Sequence, residues 1–113
     1  MTEILCVLTH CPDEATAERI ARALVENRLA ACVNRSGPVQ SIYRWQGAVE
    51  ESREVALVIK TTRECYPAVE QAIRQMHPYE LPEIVALPVD AGHAPYLRWV
   101  RDSTATPAPV YRA

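Results

Sequence analysis

At 113 residues, with 49% hydrophobic and 23% charged side chains, the chain sits near the modal size of one domain with one core and outside the composition of disordered polymers. Its 12 basic and 14 acidic residues nearly cancel, which leaves no basic excess to hold nucleic acid or an anionic membrane. No run is long enough to span a bilayer, and Met1-Thr2-Glu3 leads into a strand-like segment without a charged leader, so the expected location is the cytoplasm.

Ile4 to Thr9 is a continuous apolar run closed by His10-Cys11-Pro12-Asp13, the pattern of a first strand covered on both faces. Asp13 and Glu14 then supply a cap and negative charge to a helix expected over about Asp13 to Glu26. Its apolar positions Ala17, Ile20, Ala21, Leu24 and Val25 recur at helical spacing. A second strand is expected from Leu29 to Val33, bent at Ser36-Gly37-Pro38 and resuming from Val39 to Trp45. Gln46-Gly47 reads as a tight turn, after which Glu50 to Thr61 alternates, with Val55, Leu57 and Ile59 on one face and Glu54, Ala56, Val58 and Lys60 on the other.

These arms of roughly fifteen residues reach on the order of 50 Å at about 3.3 Å per residue. A compact domain of this size has a radius of gyration of only about 13 Å. The hairpin tip therefore outruns its own core, leaving Tyr43, Trp45 and Val55 to be covered by another copy of the chain.

Thr61-Thr62-Arg63-Glu64 has the spacing of a capping box before a second helix marked by Val69, Ala72, Ile73 and Met76, with Pro67 confining the regular part to Tyr66 onward. The loop Met76 to Glu83 holds two prolines, an imidazole, a phenol and two carboxylates, and its prolines stiffen it. It reads equally as a site and as a rigid connector whose polar groups face water. Ile84 to Val89 is a further strand, and Tyr96 to Ser103 a short helix with Tyr96, Trp99 and Val100 on one face. The segment 104–113, with Pro107 and Pro109, is expected to be a mobile tail.

The element order predicts an α+β chain with the ferredoxin-like split βαβ plan: an antiparallel sheet in a sandwich, a long central hairpin and an additional C-terminal helix, all within 1–103. Cys6, Cys11, Cys32 and Cys65 form no C-x-x-C pair and are expected as reduced thiols, Cys6 as a core residue and Cys11 as the one placed for chemistry. Glu80 and Glu83 are separated by Leu81-Pro82, and no glycine-and-arginine loop follows the first strand, so no enzyme is expected.

The segments Cys11 to Ala17, Leu29 to Asn34, Tyr43-Arg44-Trp45-Gln46-Gly47, Lys60-Thr61-Thr62, His77 to Ile84, Leu87-Pro88-Val89 and Tyr96-Leu97-Arg98-Trp99 cover nearly the whole chain. In this order they resemble the CutA family of divalent-cation tolerance proteins. The resemblance implies a cytoplasmic homotrimer, similar in assembly to the PII signalling proteins, that binds copper. The copper ligands of the family's bacterial type member are a strand-end cysteine and two adjacent histidines. Those positions fall here on Thr9, Met76 and His77, so only His77 is retained.

In the split βαβ plan the first and last strands are neighbours, which brings His10 and Cys11 beside the loop. Two readings follow. Either His77, Cys11, His10 and Met76 hold a soft metal, copper foremost, or Cys11 packs while His10 and His77 hydrogen-bond locally. Adjacent strand residues point to opposite faces, so the first requires the chain to have already left strand geometry at Pro12. The second candidate locus is an intersubunit cleft for a small anion or metabolite. Its residues are Lys60, Cys32, Tyr43, Trp45, Tyr79, Glu83 and Trp99, with Lys60 as an anion contact or ion-pair partner.

Overall fold

Alternation along the hairpin's second arm decides which side of the sheet is covered. In the computed structural model, which describes residues 3–105, the elements are β1 (Ile4–Cys11), α1 (Glu14–Glu26), β2 (Cys32–Trp45), β3 (Ala48–Thr62), α2 (Tyr66–Met76), β4 (Val85–Pro88) and α3 (Ala94–Ser103). Val55, Leu57 and Ile59 of β3 stand opposite Cys11, Thr9 and Val7 of β1, and all six are buried. With Ala17, Ile20 and Leu24 of α1 and Val69 and Ile73 of α2 they make the core. Each large apolar side chain taken from water there contributes about 1.5–3 kcal/mol.

The sheet order is β2-β3-β1-β4 with every pair antiparallel, the ferredoxin-like arrangement. α1 and α2 cover one face. α3 lies on the other, where Tyr96 reaches the thiols of Cys32 and Cys6. The hairpin of β2 and β3 sets the longest dimension, 44 Å, against 35 and 24 Å across. Its turn at Gln46 (φ 50°) and Gly47 (φ 84°) uses left-handed backbone at both positions, which matches the twist of the arms. The expected bend appears as a register shift between Arg35 and Pro38.

Several boundaries differ from the sequence reading. β1 continues through His10 and Cys11, because β3 offers Ala56 and Val55 as partners before Pro12 ends the ladder. Leu29 to Ala31 is not strand. Arg28 turns left-handed (φ 60°) at the end of α1, and the N–H groups of Leu29 and Ala30 return to the Leu24 carbonyl at 2.9 and 3.1 Å, closing the helix. No side chain caps α2; the Thr62 hydroxyl instead accepts from the Cys65 N–H at 3.2 Å in the turn before it, and the Thr61 hydroxyl donates to the Leu29 carbonyl at 2.6 Å.

Of the segment expected to be mobile, Thr104 and Ala105 are tied down. The Ala105 N–H donates to the Arg28 carbonyl at 2.9 Å, the Cys65 thiol donates to the Ala105 carbonyl at 3.2 Å, and the Arg28 guanidinium caps the Asp102 carbonyl at 3.1 Å. The remainder, 106–113, lies outside the described residues.

Candidate functional site

The loop after α2 is locked to the end of β1 by two bonds, from His77 to the His10 carbonyl and from His10 to Glu83, with further bonds inside the loop and to β3. The His77 N–H closes α2 on the Ile73 carbonyl at 2.8 Å, leaving its ring to turn back over β1. His77 Nε2 meets the His10 carbonyl at 2.6 Å; a carbonyl only accepts, so Nε2 carries the proton. Nδ1 then accepts the Tyr79 N–H at 3.2 Å. Both ring nitrogens are spent on the backbone, and the ring itself lies 4.6 Å from that of Tyr79. Nearby, His10 Nδ1 donates to Glu83 at 2.8 Å, and the Tyr79 hydroxyl donates to the buried carboxylate of Glu54 at 2.9 Å. Burial first, and then Glu54, holds the Tyr79 phenol protonated well above its usual range.

The metal donors expected here do not converge. His10 and Cys11 are consecutive in strand geometry and take opposite faces, Cys11 entering the core while His10 remains partly open. Burial, followed by the charges of Asp13 and Glu54, pushes the Cys11 thiol up to about 11, away from the thiolate that ligates metals. Met76 packs partly buried against the core. Thr9, at the family's cysteine position, is fully buried with its hydroxyl unpartnered. No group of three or more His, Cys, Asp or Glu among the described residues is arranged to hold a metal. As they stand, these residues do not fit a preassembled copper site.

The residues expected to share a cleft fall into three places within one chain. Lys60 faces Cys32 across the β2–β3 ladder, and its ammonium donates to the Asn34 side-chain carbonyl rather than to an acid. Among the described residues no carboxylate is paired with it. Trp99 lies beside Tyr96 on α3, ring centroids 5.5 Å apart, near the same end of the sheet. Tyr79 and Glu83 belong to the loop beside His10. Tyr43, whose hydroxyl shares a 2.6 Å bond with Ser52 and is near enough to act on the Tyr79 phenol, and Trp45 at the hairpin tip lie roughly 33 and 40 Å of strand from Lys60. The tip can approach Lys60 only from another chain.

Asn34, Cys6, Tyr96 and Glu54 are the contributors that sequence reasoning did not single out. Period-two alternation places Asn34 and Cys32 on one face of β2, but which face holds Lys60 and Cys6 follows only from the register. A surface groove of about 310 Å³ beside Arg22, Val25 and Arg35 belongs to neither locus, while one of about 220 Å³ beside Asp13, Pro38 and Arg53 reaches the loop site through Glu54.

The open face of the sheet carries Val85 and Leu87 of β4, 45% and 53% exposed, with Leu8 and Cys6 of β1 alongside. At the hairpin tip Ile42 and Val49 are 67% and 64% exposed. A run of large apolar groups of this extent marks an interaction surface.

Residues 5–103 match the sequence model of the CutA1 divalent ion tolerance protein family. Human Protein CutA is 52% identical over 94 residues, 83% of this chain and 52% of that protein, so the chain spans about half the length of this relative. The divalent-cation tolerance protein CutA of Thermus thermophilus is 50% identical over 98 residues, 87% of this chain and 95% of the relative. The solved structure of the divalent cation tolerance protein from Thermus thermophilus superposes with a TM-score of 0.87 at 48% identity, covering 93% of this chain and 100% of the other. CutA1 of the psychrotrophic bacterium Shewanella does so with 0.88 at 48%, covering 90% and 95%.

Proposed function

We propose, from the premise that this chain belongs to the CutA1 divalent ion tolerance family, that it works as a cytoplasmic homotrimer in divalent-cation tolerance, binding its ligand without turning it over. The observation that carries this reading is the open apolar face of the sheet together with a hairpin whose tip extends past its own core. Packing three such faces together removes Val85, Leu87, Ile42 and Val49 from water, and each buried side chain of that size contributes about 1.5–3 kcal/mol. The mass in solution should be three times the chain's 12.7 kDa, and Ile42→Asp should lower it. A monomer at micromolar concentration would overturn the trimer.

Copper is the metal that the resemblance brings to this reading, and at the loop it requires His77 to release a backbone bond. Copper titration of the wild type, His77→Ala and Cys11→Ala decides the location. Weakened affinity in either variant supports the loop, and unchanged affinity in both removes it.

A second reading, a PII-like regulator that binds a small anion or metabolite between subunits, is favoured by one observation: the Lys60 ammonium has a neutral amide for a partner on a partly buried sheet face. A ligand selective for the folded state raises the melting temperature. A screen of small anions should yield a stabiliser whose effect Lys60→Ala abolishes; the same shift in the variant would overturn this reading.

A further inference from the structure

Lys60 is the only lysine in the chain, and the sheet places it between two thiols. It stands directly opposite Cys32 on β2 and directly opposite Cys6 on β1, so all three side chains rise from the open face in one row. The ammonium donates to Asn34 Oδ1, and the Cys32 thiol donates to the same oxygen at 3.8 Å. Two groups held on one acceptor lie within a few ångströms of each other. The Tyr96 hydroxyl lies close enough to Cys32 and Cys6 for both thiols to act on it. Cys32 is partly exposed in this row, whereas Cys11 and Cys65 are buried.

A thiol oxidised to sulfenic acid is ordinarily captured by a second thiol or by a nitrogen. The second thiol is out of range here. Cys6 and Cys32 are separated by the whole of β3, which at roughly 4.8 Å per strand sets their Cα atoms about 10 Å apart. A disulfide needs them within about 7 Å. The nucleophile left beside Cys32 is the Lys60 amine.

We propose that Cys32 and Lys60 form a peroxide-responsive thiol–amine pair that closes into a reducible sulfur–nitrogen bond. In the first step the Cys32 sulfur takes one oxygen from hydrogen peroxide as the O–O bond breaks. The sulfur loses two electrons to become a sulfenic acid, and the peroxide is reduced to water. In the second step the Lys60 nitrogen attacks that sulfur and the S–O bond breaks. The departing hydroxide takes one ammonium proton to leave as water, and a second proton passes to solvent. The product, a sulfenamide, has shed two hydrogens and the positive charge of Lys60. A dithiol returns two electrons, splits the S–N bond and restores both groups. Closure joins β2 to β3 through side chains and erases the cation of the open face, so oxidation would also silence any anion binding there. The pair rests on the register of one chain, and its failure would leave the trimer and ligand readings untouched.

The test is mass spectrometry of the full chain treated with hydrogen peroxide and digested after glutamate. The expected product is a peptide pair joined at Cys32 and Lys60, two hydrogens lighter than the sum of its parts and released by dithiothreitol. Lys60→Arg should lose the cross-link and pass on to Cys32 sulfinic acid at the same peroxide dose, whereas Cys6→Ser should keep the cross-link. A Cys32 disulfide as the main product would overturn the pair. So would wild-type Cys32 passing to sulfinic acid without a cross-link, or Lys60→Arg resisting overoxidation as well as the wild type.

Discussion

The two faces of this sheet are made from the same strands, one residue out of step, and they end in different surroundings. Val7, Thr9, Leu57 and Ile59 lie under α1 and α2 with essentially no exposed surface. Their neighbours along the same strands, Leu8, Val58 and Lys60, look the other way with Val85 and Leu87, where the short α3 covers only one end. The helical face tolerates a thiol with a raised pKa and an orphan hydroxyl because it is sealed. The open face keeps polar groups that talk to one another, Lys60 with Asn34 and Cys32 with Tyr96. Apolar content alone does not tell which face a chain covers by itself; the length and placement of the helices do.

The sharpest way to break this contrast is the same truncation on each face. Leu57→Ala should cost about 2–5 kcal/mol in urea unfolding, the range for a cavity in a packed core. Leu87→Ala in an isolated chain should stay within about 0.5 kcal/mol, as exposed substitutions do. A larger loss that grows on dilution would report that another copy buries it. Next in size, His77→Ala removes two hydrogen bonds and leaves the His10 carbonyl without its partner, an expected cost of about 2–3 kcal/mol by the same measurement. A neutral result would show that the loop is not locked as described.

A smaller effect tests the sealed side through pH. The Cys11 thiol sits at about 11 in the folded chain against an ordinary 9.0, so the unfolded chain gives up its proton first. The corresponding stability is complete below pH 9 and drains away as pH rises toward 11. Urea midpoints across that window should fall more steeply in the wild type than in Cys11→Ala; parallel slopes would contradict the burial. The smallest effect belongs to Thr9→Val, which exchanges an unpartnered hydroxyl for a methyl group. It should be neutral or stabilising by up to about 1 kcal/mol, and a clear loss would mean that the hydroxyl has a partner.

Much of the fold could be read from the sequence because its signals are local. Asp13 does cap α1, its carboxylate accepting from the Thr16 N–H at 2.8 Å, and Gln46-Gly47 does turn the hairpin. Alternation along β3 put Val55, Leu57 and Ile59 on one face, and that face is the core; Val55, expected to need cover from another copy, is buried within its own chain because β1 extends to Cys11 opposite it. The misread positions depend on distant partners. Pro12 suggested an early end to β1, but the ladder to Val55 and Ala56 carries it through Cys11, and those two extra residues turn His10 and Cys11 apart. Leu29 and Ala30 have strand-like composition and are claimed instead by the end of α1, while the Ala31 N–H already bonds to the Lys60 carbonyl of β3 at 2.9 Å. Bringing the loop beside His10 needed only topology. That both nitrogens of His77 would be taken by backbone groups needed coordinates, since one bond spans the distance from α2 to β1 and the other is made within the loop.

The place of β1 in the sheet also orders the birth of the protein. Its two neighbours are neither of them adjacent in the chain: Ile4 pairs with Thr62, and Leu5 with both Thr61 and Pro88. The hairpin can close as soon as its turn is made, but the most apolar strand leaves the ribosome first and waits longest, because its second edge is satisfied only when β4 emerges. Such distant closures are the slow ones. A nascent chain stalled before Val85 would therefore carry Ile4 to Leu8 as an open edge, which makes β1 the segment that chaperones and stray strands meet first.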